Sequence, residues 1–543
     1  MINTPERKRS RALLDEPRVG DIRGALGSLK QDDFAPRENW AHRLRTLLAI
    51  LGPGLIVMVG DNDAGAFSTY AQAGQDYGTT LLWTLALLIP VLYVNQEMVL
   101  RLGVVTGVGH ARLILERFGK FWGAFSVIDL FALNALTLVT EFIGISMGLA
   151  YLNVPKAWGV GAAAVLVMAA VSTGDFRRFE RFALVLVLGS LLLVPVFLMV
   201  HPPWEQIARD FVVPQLPPHA QLADVMLLII AIVGTTVAPW QLFFQQSYII
   251  DKRIGSRYIN YERLDLVIGI VLVILGAVAM IAFCAHAFAG TAEFGKFTDA
   301  GAVAAGLSHH HGSTLPGVLF AVALIDASII GAAAVSLSSA YAIGDLFSIR
   351  HSLHRSPRQA KTFYGVYFCL IVLAAALVLI PGVPLGLLTN AVQTLAGILL
   401  PSATVFLLLL CNDREVLGPW VNSLKLNVFT MLVIGVLVTL SLILTAAVLF
   451  PGITGGQIAA ILGTGGLLAL LGTLGMALTS KRREGGRVRM ARIDRNAWRM
   501  PKLEDLSPLK MTPMRRLWMI VLRGYLVIAV IMVIVRVVQL AYA

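Results

Sequence analysis

The sequence predicts an all-α protein made of many membrane-spanning helices, and three observations carry that expectation. Of its 543 residues, 57% are hydrophobic and only 14% charged, with a mean hydropathy of +0.76. Stretches near the ~20 apolar residues that a bilayer asks of a helix recur along almost the whole chain, and no polar block is large enough to be a soluble domain. Basic residues gather in alternate connections between these stretches. Two of the stretches are also interrupted in mid-course by residues that a lipid-facing helix does not tolerate.

Taken in order, residues 1–44 are polar and carry both signs of charge. No apolar run follows a basic start there, so no cleaved signal peptide is expected. Apolar segments then fall near 46–71, 79–100, 123–152, 155–173, 179–200 and 222–250. A second group falls near 262–290, 314–346, 362–381, 387–411, 424–450, 456–479 and 517–540, giving thirteen candidate spans.

The N-terminal segment ends on Arg43 and Arg45, whereas Gln75 to Gly78 carries no basic residue. Arg101, Arg112, Arg117 and Lys120 follow the second span, and only Lys156 the third. Arg177, Arg178 and Arg181, then Lys252, Arg253, Arg257 and Arg263, then Arg350, Arg355, Arg358 and Lys361 continue the alternation. The positive-inside rule therefore puts the N-terminus in the cytoplasm. The net charge of +12 is largely topological. Its densest block, 481–516, holds twelve Lys or Arg against four acids and reads as a cytoplasmic loop, with lipid head groups or a cytosolic partner the alternative. Without aromatic interleaving or a binding fold, nucleic acid is not an expected partner. Cys284, Cys369 and Cys411 lie far apart in apolar runs, with no spacing for zinc, and read as small buried hydrophobes.

The first span reads Leu-Gly-Pro-Gly-Leu-Ile-Val-Met-Val-Gly and then Asp61-Asn62-Asp63-Ala64-Gly65-Ala66 before resuming toward Tyr70. Carboxylates at bilayer depth cost several kcal/mol unless they meet a cation or a wet cavity. Gly60 and Gly65 let the backbone leave the helix and turn carbonyls toward a ligand. The sixth span places Pro239 in Gly234-Thr235-Thr236-Val237-Ala238-Pro239-Trp240-Gln241, freeing a carbonyl one turn earlier. Paired interruptions at corresponding positions of two five-span halves point to a transporter site. Carboxylates, amides and freed carbonyls are oxygen ligands suited to Mg²⁺, Ca²⁺ or Mn²⁺ rather than zinc or copper.

Four motifs now resemble the NRAMP family of divalent-metal transporters. Arg101-Leu102-Gly103-Val104-Val105-Thr106-Gly107 is similar to that family's RLGIVTG, and Asp63 with Gly65 keeps part of its DPGN. The sixth-span Ala238-Pro239-Trp240 resembles the metal-binding MPH, and 412–418 resembles the loop after the tenth span. The resemblance covers about 45–480 and implies a LeuT-type fold, two inverted five-helix repeats at 45–200 and 222–411, with 412–543 adding about three peripheral spans. It implies a site in a multi-pass protein of a bacterial inner membrane, with the metal ion as substrate and no cofactor.

Departures from the family pattern sharpen the expectation. Ala238 stands where manganese and iron carriers have a methionine, so a soft sulfur that favours transition metals is gone. Ala66 replaces the DPGN asparagine, again leaving more room for the waters that Mg²⁺ is reluctant to lose. Asp61 adds a charge. This pattern is similar to the NRAMP-related magnesium branch, and the metal-site positions are Asp61, Asp63, Ala66, Thr236, Ala238 and Gln393. Proton coupling is expected to be lost: the two sixth-span histidines fall at Trp240 and Gln245, the third-span aspartate at Leu138, and Glu141 survives alone. Glu141, Trp240, Gln245 and Asp326 are the gating or residual proton network. Asp326 is read as lining the path or pairing with Ser336, and Asp129 as pairing with Asn134. His309-His310-His311 reads as a mobile external loop, and Thr235 as a ligand or a local cap.

The reading that follows is a passive Mg²⁺ transporter, with Mn²⁺ also accepted. A proton-coupled Mn²⁺/Fe²⁺ symporter is the first alternative. An organic-solute carrier on the same fold is the second, opposed by the two carboxylates that would repel a substrate carboxylate. An enzyme is not expected, for no nucleophile–base pair, HExxH or Gly-rich phosphate loop is present.

Overall fold

The computed structural model describes residues 20–33, 35–218, 220–382, 385–450, 453–484 and 500–506, with the single positions 495, 498 and 524. The expected thirteenth span, 517–540, and most of the basic stretch 485–516 lie outside the described residues. The chain enters through a two-stranded antiparallel hairpin, β1 (Ile22–Arg23) and β2 (Ser28–Leu29), with Ile22 opposite Leu29. Helices follow as α1 (Trp40–Ile50), α2 (Pro53–Val59), α3 (Ala64–Tyr77), α4 (Leu82–Thr106), α5 (His110–Phe118) and α6 (Lys120–Tyr151). Then come α7 (Lys156–Val171), α8 (Phe176–Gly189), α9 (Leu193–Val200) and α10 (Trp204–Val212). The second half holds α11 (Leu222–Thr236), α12 (Pro239–Asp251), α13 (Ile259–Phe288), α14 (Ala300–His311), α15 (Leu315–Phe347), α16 (Lys361–Val378) and α17 (Leu385–Cys411). After α18 (Arg414–Leu417), α19 (Leu424–Leu449) and α20 (Gly455–Glu484) complete the described helices.

Among the described residues, ten helices are long and apolar enough to cross a membrane, or eleven if α1 and α2, bent by 54°, count as one span. Local chemistry sets the breaks. Pro53 and Pro239 open α2 and α12 in the first turn, where the missing N–H costs nothing, and Gly107 in the left-handed region closes α4. The bend between α1 and α2, at Gly52 with φ 150°, was not visible from hydropathy. Only a residue without Cβ holds that φ comfortably, and a Cβ there would also run into Glu180.

At the centre, α6 packs along α15, and α13 along α2 and α3. Helix α11 crosses α17 closely at Gly234 and Gly397, where a Cβ on Gly234 would collide with the backbone of Gln393 and Gly397. Small residues at such a crossing let backbones approach inside a bilayer, where helix association depends on packing. On the face carrying the basic connections, Arg101 donates to the Trp420 carbonyl at 2.7 Å and to the Asn422 amide oxygen. Arg117 pairs with Asp413 at 2.6 Å. The two loop motifs, 101–107 and 412–418, are thereby tied to one end of the bundle.

Several expectations need correction. Asp326 and Ser336 do not pair: ten residues along one helix separate them by about 15 Å. Asp326 lies against Gly189 of α8, while the Ser336 hydroxyl bonds the Ala332 carbonyl. Asp129 meets Ser402 rather than Asn134, whose amide donates to the Ser339 hydroxyl at 2.9 Å. Residues five apart on a helix do not face each other. His309 to His311 form the last turn of α14, with His310 3.2 Å from Glu293, not a loose loop. Cys369 is exposed, unlike buried Cys284 and Cys411.

Candidate metal site at the two helix breaks

Helix α2 ends at Val59 and α3 begins at Ala64, leaving 60–63 outside both. Asp63 is the N-cap of α3, with extended backbone and its carboxylate accepting from the Ala66 amide at 2.9 Å. Glu141 of α6 caps the same end, accepting from the Ala64 amide at 3.2 Å. The positive end of α3 is thus met by protein carboxylates. The second break parallels the first: α11 stops at Thr236, and Ala238 in extended conformation starts α12. Pro239 has no N–H to offer the Thr235 carbonyl one turn earlier, so the helical ladder cannot run through this point.

Side chains bring the breaks together. Tyr70 of α3 bonds the Thr236 hydroxyl at 2.7 Å. Gln241 of α12 donates to Asp61 and accepts from Gln96 of α4 at 2.7 Å. The Gln393 amide of α17 lies against the Cα of Gly65, where any Cβ would overlap it. Gly331 of α15 faces both Glu141 and Asp63. Asp61, Asp63, Ala66, Thr236, Ala238 and Gln393 all lie buried, with Asp61 1% and Asp63 3% exposed.

This arrangement suits a cation. The carbonyl-bearing ends of α2 and α11 both terminate at the breaks, and each carries partial negative charge. One Asp61 carboxylate oxygen is buried without a protein partner, an acceptor that an ion could use. Among the described residues, no three His, Cys, Asp or Glu side chains converge as metal ligands, so the breaks are not a preformed carboxylate cage. The set is two carboxylates, amides and freed carbonyls.

Of the remaining expected residues, Trp240 sits one residue into α12, its carbonyl accepting from Ser338 at 2.9 Å. Gln245 lies a turn further along, wholly buried. Asp326 is not at the breaks. Residues not singled out by sequence include Tyr70, Gln96 and Gln241, whose only signal was polarity at positions that fall on the break side of their helices. A cavity of about 940 Å³ lies elsewhere, at the far end of α3, lined by Asp76, Thr79, Glu205 and Asp210 among others.

Residues 54–447 match the Nramp family, described as natural resistance-associated macrophage protein-like. The chain belongs to the Nramp family. Among its relatives, the divalent metal cation transporter MntH of Ralstonia nicotianae is 28% identical over 396 residues, covering 70% of this chain and 86% of that protein. MntH of Burkholderia ambifaria is 27% identical over 409 residues, covering 71% and 86%. A crystal structure of the Eremococcus coleocola manganese transporter superposes with a TM-score of 0.62 at 19% identity, over 86% of this chain and 99% of that one. The fold is therefore the LeuT-type fold, mostly helical with ten or eleven apolar spans among the described residues.

Proposed function

We propose that this family member carries divalent metal cations across the membrane, Mg²⁺ above all and Mn²⁺ as well, by passive alternating access. The observation that carries the reading is the meeting of two helix breaks around Asp61 and Asp63, with Ala238 where the resemblance places a methionine sulfur. Hard oxygen donors and a small side chain at that point suit an ion that keeps part of its water. The membrane potential then supplies about 2.3 kcal/mol per charge per 100 mV, twice that for a divalent ion. In this reading residues 45–411 are the ten-helix core and 412–543 peripheral. The basic connections, and the basic stretch 481–516 by its sequence, are cytoplasmic in a bacterial inner membrane in this reading.

One observation favours a second reading with proton coupling. Glu141 and Asp63 both lie against Gly331 and cap the same end of α3, and two buried carboxyls so placed favour a proton on one of them. A metal that takes Asp63 as ligand would displace that proton. Uptake of Mg²⁺ and Mn²⁺ by proteoliposomes tests the favoured reading, with Asp63→Ala as control. Saturable Mg²⁺ entry lost in the control supports it; entry of Mn²⁺ alone, or normal transport by the control, overturns it.

A further inference from the structure

The β1–β2 hairpin lies ahead of residue 54, where the match to the Nramp family begins, so family membership does not set its task. Its tip meets three helices on the face that carries the basic connections. The Ala25 amide donates to the Glu180 carboxylate of α8 at 2.5 Å, and the Ala25 carbonyl accepts from Arg181 at 3.3 Å. Glu180 pairs in turn with Lys252, which follows the last turn of α12, at 2.6 Å. Lys252 donates to the Ile50 and Leu51 carbonyls at 2.6 and 2.9 Å, where α1 ends. This chain of contacts joins the hairpin to α8, α12 and α1, so both interrupted spans take part in it.

Packing attaches the hairpin to α1. Ile22, Ala25 and Leu29 are buried. A Cβ on Gly24 would overlap the Ala49 carbonyl of α1, and one on Gly27 would stand 3.2 Å from the Ala49 Cβ. Arg37 pairs with Asp33 at 2.8 Å and donates to the Thr46 hydroxyl of α1 at 2.9 Å, so the strap behind the hairpin is tied to the same helix. Toward α8 the tip is held by the two polar bonds of Ala25. A hairpin of two residue pairs is too short to be stable by itself in water, so this one is ordered by what it docks against. Such an element has two states, seated on α8 or released together with α1. The connection from α1 to α2 runs through Gly52, whose φ of 150° suits a hinge.

We propose that residues 20–33 form a latch that holds the basic face shut while seated on α8, and that its release with α1 is the slow step of opening toward that face. The inference rests on the transport reading above, in which the buried site must open to each face in turn. Asp61 and Asp63 are 1% and 3% exposed, so the seated latch belongs to a closed state. Release breaks the bond of Ala25 to Glu180 and those of Lys252 to Ile50 and Leu51. Glu180 and Lys252 stay paired with each other across α8 and α12, so no buried charge is stranded when α1 leaves.

The test is a tether across the joint that opens. Leu26→Cys at the exposed tip and Arg181→Cys on the exposed side of α8 are combined in a Cys369→Ser background, Cys284 and Cys411 being buried. A short bis-maleimide reagent joins the two thiols in the purified protein, and Mg²⁺ and Mn²⁺ binding and proteoliposome uptake are then measured. The expected result is unchanged affinity with uptake slowed about tenfold, while singly substituted proteins given the same reagent carry ions normally. Full uptake by the tethered protein overturns the proposal, as does failure of the two thiols to be joined, because tip and α8 are then apart. Loss of binding on tethering also overturns it, since the seated state should keep the metal site intact. A second variant acts in the opposite direction and needs no reagent. Ala25→Pro removes the N–H given to Glu180 and should speed uptake about threefold at saturating ion. Uptake that stays the same, or falls along with the thermal midpoint, shows a hairpin that only supports the fold and refutes the latch. Should the unmodified protein neither bind nor carry either ion, the transport reading itself fails; a latch that fails in a protein that does carry them fails alone.

Discussion

Replacing Asp63 by asparagine separates the charge of the site from its architecture. In the structure Asp63 does two jobs, capping α3 through the Ala66 amide and placing a carboxylate at the first break. Asparagine is as good an N-cap as aspartate, so Asp63→Asn keeps the start of α3, whereas Asp63→Ala also gives up about 1 kcal/mol of capping. What asparagine removes is one of the two carboxylates of the proposed site for a divalent ion. Losing one partner of a buried ion pair costs about 3–5 kcal/mol, which is a fall in affinity of about 10²–10⁴. The metal-free protein should be no less stable, because Asp63 and Glu141 lie against the same buried glycine and the variant removes one of those two acids. Thermal unfolding with and without ion reads both effects. At about 100 times Kd, ligand adds about 2.7 kcal/mol to the unmodified protein, and that gain should vanish in Asp63→Asn at the same ion concentration. A variant that still shows the full ion-induced shift would refute the placement of the site.

Other outcomes follow from the same geometry. Ala238→Met restores a thioether at the second break and should tilt selectivity toward Mn²⁺ over Mg²⁺ by about tenfold in competition uptake, because sulfur discriminates against hard ions. Glu141→Gln retains an oxygen for the Ala64 amide and, if transport is passive as proposed, should leave Mg²⁺ uptake within about twofold, since no proton is then needed there. Lys252→Met strands Glu180, its partner at 2.6 Å, and uncaps the Ile50 and Leu51 carbonyls, so the midpoint should fall by an amount matching about 3 kcal/mol or more in thermal unfolding. His351, in the loop between α15 and α16, gives a pH effect. Burial lowers its pKa, but the hydrogen bond and charge of Asp345 and the Ile349 carbonyl outweigh that and leave it raised above 6.5. A raised folded-state value contributes stability fully present below 6.5 and lost as pH climbs through the higher value. The thermal midpoint should therefore decline above neutral pH, and His351→Gln should flatten that decline.

The twelve earlier apolar segments each found a helix because hydropathy over a span is a long-range average that no single contact overrides. The breaks were legible too, since Gly60, Asp63 and Pro239 act on their own backbone: a proline without N–H and an N-capping aspartate end helices whatever surrounds them. Partners across helices were not legible. Asp326 and Asp129 are acids in apolar runs, and only packing decides that one faces Gly189 and the other Ser402. Gln241 stood next to the Pro239 motif, yet its bond to Asp61 depends on how α12 is rotated against α2, which no local signal records. Gln393 was nominated by resemblance, and its amide lies against Gly65 in the first turn of α3. His309 to His311 misled because polar triplets suggest loops, whereas a preceding run of alanines carries the helix through them.

One measurement bears most directly on the central reading. Proteoliposomes loaded with a pH dye and held at a set membrane potential are given Mg²⁺ or Mn²⁺ outside, and ion entry and internal pH are followed together. Mg²⁺ entry that tracks the potential, with no acidification, is the expected result. Entry of Mn²⁺ alone, accompanied by acidification of the lumen, would contradict it.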